Sequence, residues 1–310
     1  MRAIGLYEHG TPEVLHTVDL PQPRPGRGEL RIRVQAAAVN PTDTVLRSGQ
    51  RDLSGQPLPL VPGMDVAGVL EEIGPGTDTG LRIGDAVMGI VVPRGSHGAY
   101  SEQLVLPAES VTAAPRGSGP VEASTLPMNG LTARLALDTL GLDPGSVLAV
   151  TGAAGAMGGY AVQLAKADGL TVVADASETD EELVAALGAD AVLPRGADFA
   201  AHVLERFPEG VDGAVDGAML HEAVVPAVRQ DGTVITIRGY DESSERGVRF
   251  QPVLVVDYAR ERQKLDTLRQ QAEDGVVSLR VASSLPAEQA AEAHRRLEAG
   301  GVRGRLVLTF

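Results

Sequence analysis

A glycine-rich run, TGAAGAMGG at 151–159, lies near the middle of the chain between two segments with different residue patterns. The segment before it, 146–151, is short and apolar, which is typical of a buried strand. The segment after it, 156–167, repeats its apolar residues at helical spacing. A strand, a tight turn and a helix in this order form the setting in which many proteins bind a dinucleotide.

The glycines of this run fit that chemistry in a variant form. Read as G-x-G-x-x-G, the run places Ala153 in the first slot and Gly155 and Gly158 in the other two. Gly155 would let the backbone approach a pyrophosphate, and Gly158 would let the helix pack closely. The free N–H groups and the dipole of the helix N-terminus attract the anion. The run predicts a dinucleotide site; without its setting, it would indicate only a small-residue turn.

The next predicted strand, 170–174, is followed by Asp175. A carboxylate at this point can accept hydrogen bonds from both ribose hydroxyls of NAD, and it repels the 2′-phosphate of NADP. No Lys or Arg occurs between residues 167 and 194, so the local sequence favours NADH over NADPH. The alternative is that Asp175 caps a helix or a turn.

Three regions position these residues. The first 120 residues combine short β-type runs with Gly and Pro turns, which predicts a small β-barrel or folded sheet. From residue 121 strands and helices alternate, which predicts a parallel sheet with helices on both faces. The predicted strands are 30–39, 66–73 and 85–92, then 146–151, 170–174, 191–193, 211–215 and 233–237, and finally 279–282 and 305–310. The predicted helices are 156–167, 181–187, 199–207, 221–228, 257–274 and 287–299.

Composition excludes several classes of function. The chain has 27 basic and 41 acidic residues, for a net charge of −14, which disfavours nucleic acid and anionic membrane partners. The absence of Cys excludes disulfides, thiolate zinc sites and a Cys nucleophile. The six His are expected on the surface or in loops rather than as metal ligands. No apolar run reaches the ~18–20 residues of a membrane span, and the N-terminus lacks a signal-peptide core, so we expect a soluble, cytoplasmic protein.

Several short motifs in a fixed order make a more specific pattern. They include Asn40-Pro41-Thr42-Asp43, PGMDVAG at 62–68, GDAV at 84–87, GLTA at 130–133, LGAD at 187–190 and GRLVL at 304–308. With the glycine-rich run, they resemble the zinc-independent quinone oxidoreductase branch of the medium-chain dehydrogenase/reductases over nearly all 310 residues. The resemblance implies an α/β protein with a GroES-like β-rich catalytic domain, 1–120 and 255–310. It implies an inserted Rossmann domain, 121–254, with the nicotinamide in the cleft between the two.

The resemblance also bears on metal and reaction. Zinc-dependent relatives have a Cys at the position of Asn40 and a His-Glu pair at the position of Met64-Asp65. Without a Lewis acid, oxidation of an alcohol is poorly supported, whereas reduction of an electrophilic double bond needs less help. The implied reaction is hydride transfer from NADPH or NADH to a quinone or an α,β-unsaturated carbonyl, with no metal.

Residues matched to the family pattern supply an implied cofactor site. Arg195 falls where relatives often reach the 2′-phosphate, which opposes the NADH preference drawn from Asp175 and leaves the choice open. Asp43 is expected, with Asn40, to face the substrate and the nicotinamide. The implied cofactor-binding residues are Asn40, Thr132, Ala154, Gly155, Ala156, Met157, Asp175, Ser177, Arg195, Ile237, Arg238 and Gly239.

The proton donor is less well defined. Many relatives carry a Tyr at the position of Val45, and Tyr240 is the best remaining candidate, with an ordinary loop aromatic as the alternative. Arg238, Tyr240 and Asn40 are the implied catalytic residues that would meet the oxyanion or enolate. Arg238 could instead contact the cofactor or a domain interface. With 4 Phe, 5 Tyr and no Trp, the substrate walls are expected to be aliphatic, with Leu53, Leu58 and Leu60 as candidates.

Three other functions stay open at this point. An enoyl reductase of a biosynthetic pathway fits the same motifs, although the missing Tyr at position 45 counts mildly against it. A nucleotide-binding protein without turnover is the second, and RNA binding, which the charge disfavours, is the third. The resemblance further implies a homodimer through edge strands of the Rossmann sheet, with 233–237 and the following 239–252 as the expected contact.

Overall fold

Strand β3, Glu29–Ala38, shows how the sequence builds the first sheet. Its first half alternates polar residues with Leu30, Ile32 and Val34, which are all buried, as a strand with one face on a core requires. In the computed structural model, which describes residues 1–50, 55–242 and 245–310, β3 lies at the centre of a seven-stranded sheet.

This sheet belongs to a compact unit formed by Met1–Met128, Ala259–Asp274 and Leu279–Phe310. The sheet order is β14-β15-β3-β4-β5-β7, with β6 paired to β3, and β1 pairs with β2 separately. The other strands of the unit are β1 (Arg2–Gly5), β2 (His16–Asp19), β4 (Asp65–Ile73), β5 (Ala86–Ile90), β6 (Gln103–Pro107), β7 (Val111–Ala113), β14 (Val281–Pro286) and β15 (Arg305–Thr309). Its helices are α1 (Pro41–Ser48), α2 (Pro120–Ala123), α7 (Arg262–Glu273) and α8 (Ala290–Ala299).

A second compact unit consists of Asn129–Tyr258 and Gly275–Ser278. Its six-stranded parallel sheet has the order β10-β9-β8-β11-β12-β13, the doubly wound arrangement expected from the strand–helix alternation. The strands are β8 (Val147–Thr151), β9 (Thr171–Ala176), β10 (Ala191–Pro194), β11 (Val211–Asp216), β12 (Val228–Thr236) and β13 (Arg249–Pro252). The helices are α3 (Pro127–Leu140), which begins in the first unit, α4 (Ala156–Ala167), α5 (Glu181–Ala186) and α6 (Phe199–Arg206).

The predicted fold class is confirmed: a β-rich unit and a Rossmann-like parallel sheet are both present. The limits between the two units, 128/129 and 258/259, lie a few residues beyond residues 121 and 255, where the sequence pattern changes. The predicted domain limits themselves stay a prediction.

Some individual elements differ from the expectation. The helix predicted at 221–228 is a 3-10 helix, His221–Ala227, because Pro226 lacks the N–H that an α-helix would use there. The helix predicted at 257–274 is α7 preceded by a short 3-10 turn, Val255–Tyr258. The pattern did not predict α3, which is buried on most sides and therefore lacks a polar face.

The expected dimer contact also needs a correction. Strand β12, which contains most of 233–237, pairs with both β11 and β13, so it lies inside the sheet. The last strand in the described sheet order is β13, which lies within the other expected segment, 239–252.

Every helix in the described ranges is too short or too polar to cross a membrane.

Candidate functional site

The glycine-rich turn connects β8 to α4 at the carboxyl end of the parallel sheet. Gly152 has φ of 68°, in the left-handed region that favours glycine. A Cβ on Gly158 would lie 2.3 Å from the carbonyl oxygen of Gly152, so a side chain cannot fit there. The glycine whose conformation the tight turn requires is therefore Gly152, one residue before Ala153, which the G-x-G-x-x-G spacing places in the first slot. Gly158 packs against the turn itself.

The N-terminus of α4 is the part of the candidate site that could bind an anion. Gly155 is its extended N-cap, with φ of −69° and ψ of 172°, and the helix begins at Ala156. The N–H groups of a helix's first turn have no acceptor within the helix, and they carry the positive end of the dipole. Ala154 and Met157 are largely buried beside them. This cradle fits a pyrophosphate, the group that a dinucleotide would place there.

Strand β9 ends beside the turn, and the residues assigned to the ribose lie on it, directly after it and directly after β10. Asp175 is 4% exposed, and its Oδ1 accepts a hydrogen bond from the N–H of Ala153 at 3.1 Å. Ser177 is half-buried and donates to Oδ2 of Asp180 at 2.5 Å. Arg195 is exposed, and its N–H donates to the carbonyl of Ala176 at 2.9 Å. Ser177 and Arg195 thus lie next to the carboxyl end of β9. The side chain of Asp175 instead faces the glycine-rich turn.

The segment after β12 carries the residues assigned to the nicotinamide and to catalysis. Ile237 is half-buried, Arg238 is exposed, and Gly239 has φ of 79°. The ring of Tyr240 stacks on His221 with centroids 4.1 Å apart, and its hydroxyl donates to Glu222.

These contacts favour the alternative of a packed aromatic for Tyr240, whose catalytic role stays a prediction. Thr132 lies on α3 and is buried. Of the suggested substrate walls, Leu58 is exposed, Leu60 is buried, and Leu53 lies outside the described residues.

Asn40 lies in the first unit, in a buried polar cluster. Its side-chain amide donates to Oδ2 of Asp65 at 2.9 Å, and its Oδ1 accepts from Arg305 at 2.8 Å. Arg305 also pairs with Oδ2 of Asp65 at 2.8 Å, and all three side chains are buried. Asn40 would have to exchange one of these bonds to contact a substrate, and its assigned role stays a prediction.

Asp43 begins a second chain of buried polar contacts. Its carboxylate accepts from the N–H groups of Asn40 and Gly63 at 2.8 and 2.9 Å and from the Tyr100 hydroxyl at 3.2 Å. That hydroxyl lies 3.3 Å from Nε2 of His294. Burial raises the pKa of the Asp43 carboxyl to about 6 and raises that of Tyr100 well above its ordinary value.

Burial, followed by the charge of Arg47, lowers the pKa of His294 to about 3. His294 lies fully buried on α8, so the expectation of a surface or loop position is wrong for this histidine.

The donor set at the positions of the zinc ligands in zinc-dependent relatives does not fit zinc. Asn40 offers an amide, and the sulfur of Met64 already accepts from Thr42 at 3.0 Å. The carboxylate of Asp65 is already paired with a guanidinium. Among the described residues, no group of three or more His, Cys, Asp or Glu could hold a metal ion. We derive no chemical step through a metal.

Sequence reasoning missed the residues that organise these clusters. Asp216, at the end of β11, is 1% exposed and accepts from the Thr151 hydroxyl at 2.6 Å. Tyr100, His294 and Arg305 complete the buried clusters of the first unit. An Asp at the end of a predicted strand could have indicated Asp216. The other three act over separations of 57 to 265 residues, which no local pattern shows.

Known proteins match the chain in both units. The model of the alcohol dehydrogenase GroES-like domain matches residues 26–116, and that of the zinc-binding dehydrogenase family matches 187–308. The 2-methylene-furan-3-one reductase of Solanum lycopersicum is 31% identical over 247 residues, which cover 77% of this chain and 62% of that protein. Quinone-oxidoreductase QR1 of Triphysaria versicolor, described as chloroplastic, is 35% identical over 210 residues, 64% of this chain and 63% of that protein.

Solved structures agree over the full length. A mycobacterial protein solved in complex with NADPH is 29% identical, with a TM-score of 0.88 and complete coverage of both chains. The parallel sheet with its glycine-rich turn, the β-rich unit and these matches lead to one assignment. The chain belongs to the medium-chain dehydrogenase/reductase superfamily, within which it is similar to the quinone oxidoreductases.

Proposed function

We propose that the protein is a metal-independent reductase that uses NADPH or NADH to reduce a quinone or an α,β-unsaturated carbonyl compound. The observation that carries this proposal is the cradle formed by Gly152, Gly158 and the N-terminus of α4 at the carboxyl end of the parallel sheet. The printed names of relatives, a quinone oxidoreductase and a furanone reductase, support the acceptor class. The matched segments cover under two-thirds of those relatives, so the acceptor is part of the proposal.

The chain's own residues would divide the work of binding. The first-turn N–H groups of α4, at Ala156 and Met157, would hold the pyrophosphate together with the turn at Ala154 and Gly155. Ser177 and Arg195 would lie beside the adenosine ribose. Ile237, Arg238 and Gly239 would line the nicotinamide, with Thr132 as a further contact. When bound, the reduced nicotinamide supplies the hydride.

Arg238 is the residue proposed to stabilise the negative charge that forms on the oxygen of the acceptor. Its side chain is exposed, and a guanidinium can donate hydrogen bonds to an oxyanion. Tyr240 and Asn40 already use their polar groups within the protein, so water is the proposed source of the proton. Arg238→Met should lower kcat more than Tyr240→Phe does.

Anaerobic mixing with NADH or NADPH and a panel of quinones and enones tests the proposal. Absorbance of the reduced nucleotide should fall in the presence of at least one acceptor, and a chelator should leave the rate unchanged. Oxidation of neither nucleotide by any acceptor would refute the reductase. Loss of activity on chelation would refute metal independence.

The proposed assembly is a homodimer in which β13 of one copy contacts β13 of another. Within the described sheet β13 pairs only with β12, and Leu254 and Val256, which follow it, are 57% and 47% exposed. Exposed apolar residues beside an unpaired strand edge favour association. Light scattering should give a dimer for the wild type and a monomer for Leu254→Glu/Val256→Glu. A monomeric wild type would refute it. The cytoplasmic location expected from the sequence stays a prediction.

A further inference from the structure

Asp175 faces the glycine-rich turn rather than the surface. Its side chain is 4% exposed, and its Oδ1 accepts from the N–H of Ala153 at 3.1 Å. Burial raises the pKa of this carboxyl, and the hydrogen bond from Ala153, followed by the nearby N–H of Gly152, opposes the rise. A residue that selects between nucleotides must touch the ribose 2′-oxygen. A buried carboxylate already bonded to the turn is poorly placed to do so.

A second buried carboxylate lies on the other side of the same turn. Asp216, on β11, is 1% exposed and accepts from the N–H groups of Leu220 at 3.0 Å and His221 at 2.8 Å. It also accepts from the hydroxyl of Thr151 at 2.6 Å, and that hydroxyl accepts from the N–H of Ala218 at 3.0 Å. Asp216 therefore ties the start of the glycine-rich turn to the segment 217–221.

Both segments held by these carboxylates have strained or crowded backbones. A Cβ on Gly152 would lie 2.9 Å from the carbonyl carbon of Gly217, so the two backbones are in direct contact. Met219 and His221 have φ of 59° and 53°, in the left-handed region that non-glycine residues rarely adopt. Such conformations persist only where the surroundings hold them, and they are often found at functional sites.

We propose that Asp175 and Asp216 are a pair of positioning residues that hold the phosphate-binding turn from its two sides, and that neither selects between NADH and NADPH. This inference rests on the proposed nucleotide-dependent function. Asp175 occupies the N–H group of Ala153, which leaves the first turn of α4 to bind the pyrophosphate. The carboxylate at the end of β9 thus has a role different from the one that its position in the sequence indicates.

Calorimetric binding of ADP-ribose and 2′-phospho-ADP-ribose tests the inference without any acceptor. The two ligands differ only in the 2′-phosphate. Asp175→Asn is nearly isosteric, but it removes the negative charge and leaves one acceptor oxygen where the carboxylate has two, so the bond from Ala153 becomes a weaker, neutral one. Asp190→Asn is the matched control, because Asp190 also accepts a backbone N–H, that of Val172 at 2.7 Å, but precedes β10 at the opposite end of the sheet.

We expect Asp175→Asn to weaken the binding of both ligands by the same factor, about tenfold, and Asp190→Asn to change neither by more than about twofold. A shift of the ratio of the two dissociation constants by more than about fivefold toward the phosphorylated ligand would show that Asp175 is a selector. Lower thermal stability with unchanged dissociation constants would show a merely structural role. Either result would overturn the inference.

Asp216→Asn provides a second variant, with the same expected outcome, should Asp175→Asn fail to fold. If the wild type binds neither ligand, the proposed function fails, and that result differs from each of the outcomes above.

Discussion

Asp175 and Asp216 in the second unit and Asp43 and Asp65 in the first are buried near candidate functional residues, and the two pairs are satisfied in different ways. Asp175 and Asp216 in the second unit accept mainly from backbone N–H groups of turns. In the first unit, Asp65 pairs with the guanidinium of Arg305, and Asp43 accepts from a tyrosine hydroxyl as well as from the backbone. Carboxylates bonded to backbone set the shape of a turn, whereas those bonded to distant side chains join separate elements.

Because the two pairs have different partners, we expect mutations in the two units to affect different properties of the protein. In the second unit, changes near the buried carboxylates should alter ligand binding first. In the first unit, Asp65 has a side-chain partner on β15, and Asp43 has one in the segment after β5, Tyr100, which also contacts His294 of α8. Changes there should therefore alter the free energy of unfolding first.

The largest effect is expected for Arg305→Met. It leaves Asp65 as a buried carboxylate without its cation, which typically costs about 3–5 kcal/mol of unfolding free energy. Urea unfolding followed by circular dichroism measures the loss. Arg2→Met is the control, because Arg2 pairs with Glu102 on the surface and its removal should leave the midpoint nearly unchanged. Equal midpoints for the two variants would contradict the expected cost of leaving the buried Asp65 without its cation.

The second effect concerns pH. The pKa of His294 is about 3 in the folded protein against an ordinary 6.5, so the unfolded chain binds this proton more tightly. The stability that neutral His294 allows is present above pH 6.5 and is lost as the pH falls toward 3. The advantage of the wild type over His294→Gln should therefore shrink by a few kcal/mol between pH 7 and pH 4.

Urea midpoints at several pH values measure this difference. Asp43 works in the opposite direction, because its raised pKa means that the folded protein binds its proton more tightly between about pH 4 and 6. Comparing two proteins that both contain Asp43 reduces its contribution. His16→Gln, at an exposed histidine, is the control for the substitution itself. A constant difference between wild type and His294→Gln would contradict the buried, neutral histidine.

A smaller effect, on binding rather than folding, is expected for Gly158→Ala. The added Cβ would meet the carbonyl oxygen of Gly152 at 2.3 Å and force the turn to shift. We expect ADP-ribose to bind at least about tenfold more weakly, which is about 1.4 kcal/mol. Gly26→Ala is the control, since its Cβ would meet only the flexible end of Glu29 at 3.2 Å. Unchanged binding in Gly158→Ala would show that the glycine-rich turn does not contact the ligand.

The smallest effect is expected for Lys166→Met, in the second unit. Lys166 pairs with Asp190 at 2.7 Å, but the two side chains are 33% and 42% exposed, and surface pairs contribute under about 1 kcal/mol. Nucleotide binding should not change. A loss as large as that of Arg305→Met would show that burial does not govern the difference between the units.

Much of the second unit could be predicted because its signals are local. The apolar run of β8, the helical spacing of α4 and the glycines between them lie within about twenty consecutive residues, and their bounds were predicted closely. The helix α3 could not be predicted in this way, because burial on most sides removes the amphipathic period. The 3-10 helix at His221–Ala227 depends on Pro226 and on backbone bonds to Asp216.

By itself, the sequence determined the glycine-rich turn, the strand–helix alternation and the superfamily. Residue types at short spacing set the first two, and motifs in a fixed order along nearly the whole chain indicated the third. Only the tertiary structure decided which way Asp175 faces, that Arg305 neutralises Asp65, and that His294 is buried beside Tyr100. These are contacts between residues distant in the chain. The direction of a side chain and the burial of a charge depend on packing, which a local pattern does not contain.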